Sequence, residues 1–153
     1  MNNRFQKLID TLPDKYQTLM NMQPVTVDTA PRNTPKGGVY LFSEGNTHLY
    51  AGRTKRLIRD RLKDHVCSDD DCPYAWHLAR EKTGHQKATY KTEGSRKRLL
   101  LLPEFRDAYD SAKERIRRMD VRYVGESDPL CQALLEIYVA VESGARFNDF
   151  GTH

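Results

Sequence analysis

Only three cysteines occur in this chain. An odd and small number argues against a disulfide framework and fits a reducing, cytoplasmic setting. No apolar run approaches the roughly 20 residues that a membrane-spanning helix needs, so no membrane association is expected. The opening stretch MNNRFQKLIDTLPDKYQ lacks the continuous apolar segment of a secretory leader. No internal repeat is visible. Hydrophobic residues make up only 38% of 153 residues, which suits one soluble, rather polar domain with its own core.

What the chain has in quantity is charge. Charged residues reach 30%, with a net charge of +4 and a pI near 9.0. A mild basic excess alone says little about partners, but its distribution says more. Arg53, Lys55, Arg56, Arg59, Arg61 and Lys63 fall in one short segment, and Lys87, Lys91, Arg96, Lys97 and Arg98 in another. Clustered cations match a phosphate backbone. Arg53, Lys55, Arg56, Arg59, Lys91, Arg96, Lys97 and Arg98 are therefore candidate DNA contacts, with a solvated basic face as the plain alternative.

Residues 4–21 carry Phe5, Leu8, Ile9 and Leu12 at helical spacing, with Pro13 expected to break or restart the helix. Residues 22–37, with Pro24, Pro31 and Pro35, read as an extended arm or linker. Together 1–36 form an N-terminal helical extension, offered to a partner protein or a second copy as a homodimer contact. The compact domain is expected over 37–153. Val39–Phe42 and Thr47–Ala51 are strand candidates joined by the turn residues Glu44-Gly45-Asn46. Thr54–Val66 reads as a helix with Ile58, Leu62 and Val66 on one stripe, and Arg61 and His65 sharing a face beside it. Pro73–Lys82 and Glu104–Arg118 are further helices, the first entered through Asp69, Asp70 and Asp71 as N-cap region and closed by Gly84. Val121–Val124 is a third strand. A last helix opens at Asp128-Pro129, with Leu130, Ala133, Leu134, Ile137 and Val141 as its stripe. This order predicts an α+β fold, a small three-stranded mixed or antiparallel sheet flanked by helices.

Phosphodiester hydrolysis needs an activated water, a cation for the developing charge, and usually a carboxylate-held metal. The hairpin offers the phenols Tyr40 and Tyr50. A tyrosine titrates near 10, so it serves as a base only if neighbouring cations such as Arg53, Lys55 or Arg61 lower that value. Two tyrosines packing in a sheet are the bland alternative. Arg61 can hold a phosphate oxygen in a bidentate fork, and His65 can relay a proton. Glu136, at the flank of the last helix's stripe between Ala133 and Ala140, is the carboxylate best suited to a hard Mg²⁺.

Gly38-Val39-Tyr40, Tyr50-Ala51-Gly52, Arg61-x-x-x-His65, Glu136 in LLEIYVAVE and Asn148 in FNDF, in that order, resemble the GIY-YIG nuclease signature. Val stands for Ile in the first triplet and Ala for Ile in the second. The resemblance spans about residues 37–150 and implies DNA as substrate and one Mg²⁺ or Mn²⁺ as cofactor. It implies Tyr40 as base or water-orienting phenol, Tyr50 as its helper, and Arg61 as the phosphate-stabilising cation. Glu136 would hold the metal, Asn148 would orient the site, and His65 would join them. Arg59 competes with Arg61 for the arginine's place, and the four-residue step from Arg61 to His65 favours Arg61.

One further constellation stands beside this one. His65, Cys67, Cys72 and His77 could form a structural zinc site at a loose ligand spacing. Trp76 reads as core.

Overall fold

The computed structural model describes residues 3–67, 70–84 and 96–148, the side chain of Arg96 excepted. Lys91, expected as a DNA contact, lies outside the described residues, as does Asp69. Strand β1 (Lys36–Glu44) turns into β2 (Thr47–Leu57) at Gly45. Its φ of 61° is a left-handed conformation that glycine adopts without a Cβ penalty. Strand β3 (Asp120–Gly125) pairs with the other side of β1, giving the order β2-β1-β3 with both pairs antiparallel. The fold is therefore α+β, a three-stranded antiparallel sheet flanked by helices.

Both hairpin strands run longer than the local pattern suggests. Thr54 and Leu57, expected to be helical, pair with Gly38 and Lys36. The helix that follows, α2, is only Ile58–Asp64, numbered after the N-terminal α1 (Arg4–Asn21). Ladder bonds to β1 decide this segment, and a helical stripe cannot register a partner strand. Ile58, Leu62 and Val66 are nonetheless buried, as the stripe predicts.

The remaining helices are α3 (Pro73–Thr83), α4 (Arg96–Leu99), α5 (Pro103–Arg117) and α6 (Pro129–Ser143). Strand alternation divides the core into two. On one face Tyr40, Phe42, Tyr50 and Val121 pack with residues of α2, α3 and α5. On the other, Val39, Leu41 and Ala51 pack with Leu12 and Leu19 of α1 and with Cys131, Leu135 and Val139 of α6. Trp76 is core, 1% exposed and packed on Phe105 and Tyr109.

Several local expectations are corrected. Pro13 lies inside an unbroken α1. Burial of Leu12 and Leu19 against the sheet and α6, with the Lys15–Glu126 ion pair, offsets the missing hydrogen bond. Phe5 is 62% exposed, off the buried face. The arm is packed along the outer edge of β3: Val25 exchanges two backbone bonds with Val121 at 3.0 and 2.7 Å, and Val27 and Ala30 are buried. The N-cap of α3 is Cys72 and not an aspartate. Helix α6 is rotated from the expected stripe, with Leu130, Ile137 and Val141 exposed and Cys131, Leu135, Glu136 and Val139 buried. Its sequence is apolar almost all round, so spacing alone did not choose the face.

Candidate active site

The register of the hairpin sets the site. Tyr40 faces Gly52 and Phe42 faces Tyr50 across the β1–β2 ladder, so both tyrosines project from one face with ring centroids 6.5 Å apart. The glycine beside each triplet's tyrosine has a steric reason. A Cβ on Gly52 would stand 2.5 Å from the Tyr40 hydroxyl, so the phenol lies directly over that glycine. A Cβ on Gly38 would stand 2.2 Å from the Val124 carbonyl, a backbone atom that cannot yield.

Helix α2 is anchored at its start by Ile58 N–H donating to the Pro35 carbonyl at 3.0 Å. It carries Arg61 to the phenols, where the guanidinium hydrogen-bonds Tyr40 and faces Tyr50 and Asp64. Burial would weaken this cation. The two phenols, the bond to Tyr40 and the Asp64 carboxylate outweigh burial and hold it more firmly protonated than usual. Arg59 is half-buried, its backbone N–H donating to Thr34 Oγ1 at 3.0 Å and its side-chain Nε without a partner among the described residues. Of the two arginines, Arg61 is the one at the phenols.

His65 ends α2 with its Nε2 2.8 Å from the Tyr40 hydroxyl. It is fully buried, and desolvation followed by the nearby Arg61 charge pushes its pKa down to about 3. The imidazole is therefore neutral at ordinary pH. Tyr40 and His65 share this one hydrogen bond, and which of the two donates follows the imidazole tautomer. The other ring nitrogen, Nδ1, is buried without a hydrogen-bond partner among the described residues.

Two residues that sequence reasoning missed complete the cluster. Tyr74 stacks on Tyr50 at 4.5 Å and 17°, and its hydroxyl donates to Met119 Sδ at 3.2 Å. Burial pushes its pKa up, so it stays a neutral packing group. Phe147 lies beside Tyr50 as a parallel bridge, its N–H donating to Leu49 O at 2.7 Å and its carbonyl accepting from Ala51 at 3.2 Å. Neither showed in the sequence: the tail has no periodicity, and Tyr74 looks like any helix aromatic. The parallel step brings the next residue, Asn148, level with Ala51, half-buried at the edge of β2.

Glu136 stands on the opposite face of the sheet, 1% exposed, with its Oε2 2.8 Å from Arg53 Nε. Strand β2 joins the two groups, since Gly52 lies under Tyr40 and the next residue, Arg53, reaches Glu136. A cleft of about 330 Å³ opens here, lined by Arg53, Thr54, Lys55 and Gln132. Gln132 donates through Nε2 to the Glu126 carbonyl, leaving its buried Oε1 without a partner among the described residues. One buried carboxylate with an orphaned amide oxygen one turn away on the same helix is a hard-oxygen donor set. It fits a divalent cation that keeps most of its ligands as water and phosphate.

The zinc quartet is not assembled. His65 is turned to Tyr40, and His77 stacks on Phe147 at 5.6 Å. Among the described residues, no group of three or more His, Cys, Asp or Glu side chains could hold a metal. Of the expected DNA contacts, Lys55, Arg56, Lys97 and Arg98 are exposed, with Arg56 paired to Asp64 at 2.5 Å. Arg53 is shared with Glu136 and Arg59 is half-buried, while the side chain of Arg96 lies outside what is described. Tyr40, Tyr50 and His65 are 0% exposed, whereas the Arg61 side chain is 23% exposed. Solvent meets the cluster first at Arg61. No helix among the described residues is long and apolar enough to cross a membrane. No family model, curated protein or solved structure matches the chain.

Proposed function

We propose that this protein is a divalent-metal-dependent endonuclease of the GIY-YIG type, hydrolysing DNA phosphodiester bonds. The observation that carries the reading is the Tyr40 phenol held between a permanent cation, Arg61, and a neutral imidazole, His65, at 2.8 Å. A packed tyrosine needs neither neighbour, whereas a phenol that must present its oxygen to a water in one orientation needs both.

In this reading Arg61 takes a phosphate oxygen in its fork and bears the charge that develops on the pentavalent phosphorus. The hydrogen bond between His65 and Tyr40 fixes the phenol oxygen toward the attacking water. Tyr50 and Asn148 flank that position and orient it. Glu136 would hold Mg²⁺ or Mn²⁺, which when bound supplies a Lewis acid for the phosphate oxygens. Arg53, Lys55 and the exposed cations of α2 and α4 draw in the DNA backbone. Because Tyr40, Tyr50 and His65 are buried, productive binding requires the site to open on the Arg61 side, where solvent reaches it.

That same burial favours a second reading, a DNA-binding module in which the phenols only pack and the cations alone act. The two separate cleanly on supercoiled plasmid. A nuclease nicks it with Mg²⁺ or Mn²⁺, and Glu136→Ala lowers the rate by about 100-fold or more with an unchanged circular dichroism spectrum. Salt-sensitive binding without cleavage under either ion would establish the module instead. Undiminished cutting by Glu136→Ala would refute the metal assignment.

A further inference from the structure

Cys67 and Cys72 are used neither by the proposed chemistry nor by a zinc site, yet their sulfurs stand 3.6 Å apart. The two thiols converge on one acceptor, since Cys67 Sγ donates to the Asp64 carbonyl at 3.3 Å and Cys72 Sγ to the same oxygen at 3.2 Å. Cys67 is half-buried and Cys72 fully buried, so an incoming reagent meets Cys67 first. A buried cation lies beside them: Lys113 Nζ donates to the Cys67 carbonyl at 2.7 Å. A partly exposed thiol beside a buried lysine, with a second thiol directly behind it, is the arrangement that redox-active cysteine pairs use. Packing alone asks for no such pairing, and the third cysteine, Cys131, has none.

We propose that Cys67 and Cys72 form a redox-modification site, a dithiol that closes to an intrachain disulfide under a disulfide oxidant such as oxidised glutathione. The Cys67 thiolate attacks one glutathione sulfur, forming a mixed disulfide and releasing one glutathione thiolate. Cys72 then attacks the Cys67 sulfur, expels the second glutathione and passes its proton to that leaving thiolate. The protein dithiol loses two electrons and two protons, and oxidised glutathione becomes two molecules of the reduced form. Closure brings the sulfurs from 3.6 Å to about 2.05 Å. Burial pushes the Cys72 thiol up to about 11, which makes the second step the slower one and speeds it as pH rises.

The consequence reaches the candidate active site through α2. Oxidation takes both thiol hydrogens off the Asp64 carbonyl. Asp64 is the last residue of that helix, directly before His65, and its carboxylate pairs with Arg56 at 2.5 Å and approaches Arg61 at 4.0 Å. The thiol chemistry itself does not depend on the nuclease reading.

The test incubates the full chain in graded mixtures of oxidised and reduced glutathione, quenches with acid, and alkylates the unfolded protein with iodoacetamide before peptide mass analysis. The expected result is Cys67 and Cys72 joined and protected together, reversibly with dithiothreitol, while Cys131 is alkylated throughout. Cys72→Ser should instead trap Cys67 as its glutathione adduct. The proposal is overturned if wild type accumulates that adduct with Cys72 still alkylated, or if both thiols stay alkylated in oxidised glutathione alone. Circular dichroism of Cys67→Ser and Cys72→Ser guards against reading misfolding as lost pairing.

Discussion

At the scale of single residues, burial decides which groups have a defined chemical state. His65 titrates at about 3 in the folded chain against 6.5 when free, because its charge would be desolvated and would face Arg61. A folded pKa that is depressed contributes stability that is complete above pH 6.5 and is lost as pH falls toward 3. The thermal midpoint should therefore drop between pH 7 and pH 5, and His65→Gln should flatten that slope. An equal slope in both proteins would show that other groups carry the acid sensitivity. The two arginines of α2 are separated by their neighbours. Arg61→Ala should lower plasmid cleavage by about 100-fold or more, since the cation at Tyr40 is lost. Arg59→Ala should cost less than about tenfold, as a phosphate contact would. The reverse order in a cleavage assay would move the proposed catalytic role to Arg59.

Elements depart from their local signals where a neighbour supplies what the local chain cannot. Strand β2 runs on to Leu57 because Lys36 and Gly38 offer a ladder. The tail becomes a bridge at Phe147 because the edge of β2 stands open there. Helix α1 passes through Pro13 because its apolar face is already docked on α6. Proline in a helix interior costs about 3 kcal/mol, so Pro13→Ala should stabilise the protein by up to about that amount. Chemical denaturation measures it, and a destabilised variant would mean that the proline ring itself is a packing contact. The face of α6 could not be read from its spacing, because alternative stripes are comparably apolar. Packing on Val39, Leu41 and Ala51 selected the one that buries Glu136.

For the whole molecule, the sheet separates two sets of functional groups and its first hairpin joins them. The phenols, Arg61 and His65 occupy one face, Glu136 and Arg53 the other, and Gly52-Arg53 of β2 is the stretch of strand between them. The exposed cations beside this edge, Lys55, Arg56 and Lys63, form the basic segment seen in the sequence. Duplex affinity should fall linearly with the logarithm of salt, and Lys55→Ala with Lys63→Ala should reduce the slope by about one unit each. Fluorescence anisotropy at graded salt measures this. A slope that does not change in either variant would place the DNA elsewhere on the surface.

Strand alternation, turn residues and helix stops are local properties, and from them the α+β class, the hairpin at Gly45 and the stripe of α2 were legible. The identities in the two tyrosine triplets, with Arg61, His65, Glu136 and Asn148, were legible too as a resemblance. Their arrangement was not. That Arg61 rather than Arg59 meets the phenols, that Tyr74 and Phe147 wall in Tyr50, and that Glu136 is buried all depend on contacts between segments far apart in the chain. The same holds for the two thiols meeting on one carbonyl. Sequence specifies which groups exist and how each element repeats, but burial and proximity are set only when elements pack. Those two quantities fix a side chain's charge state and its partner.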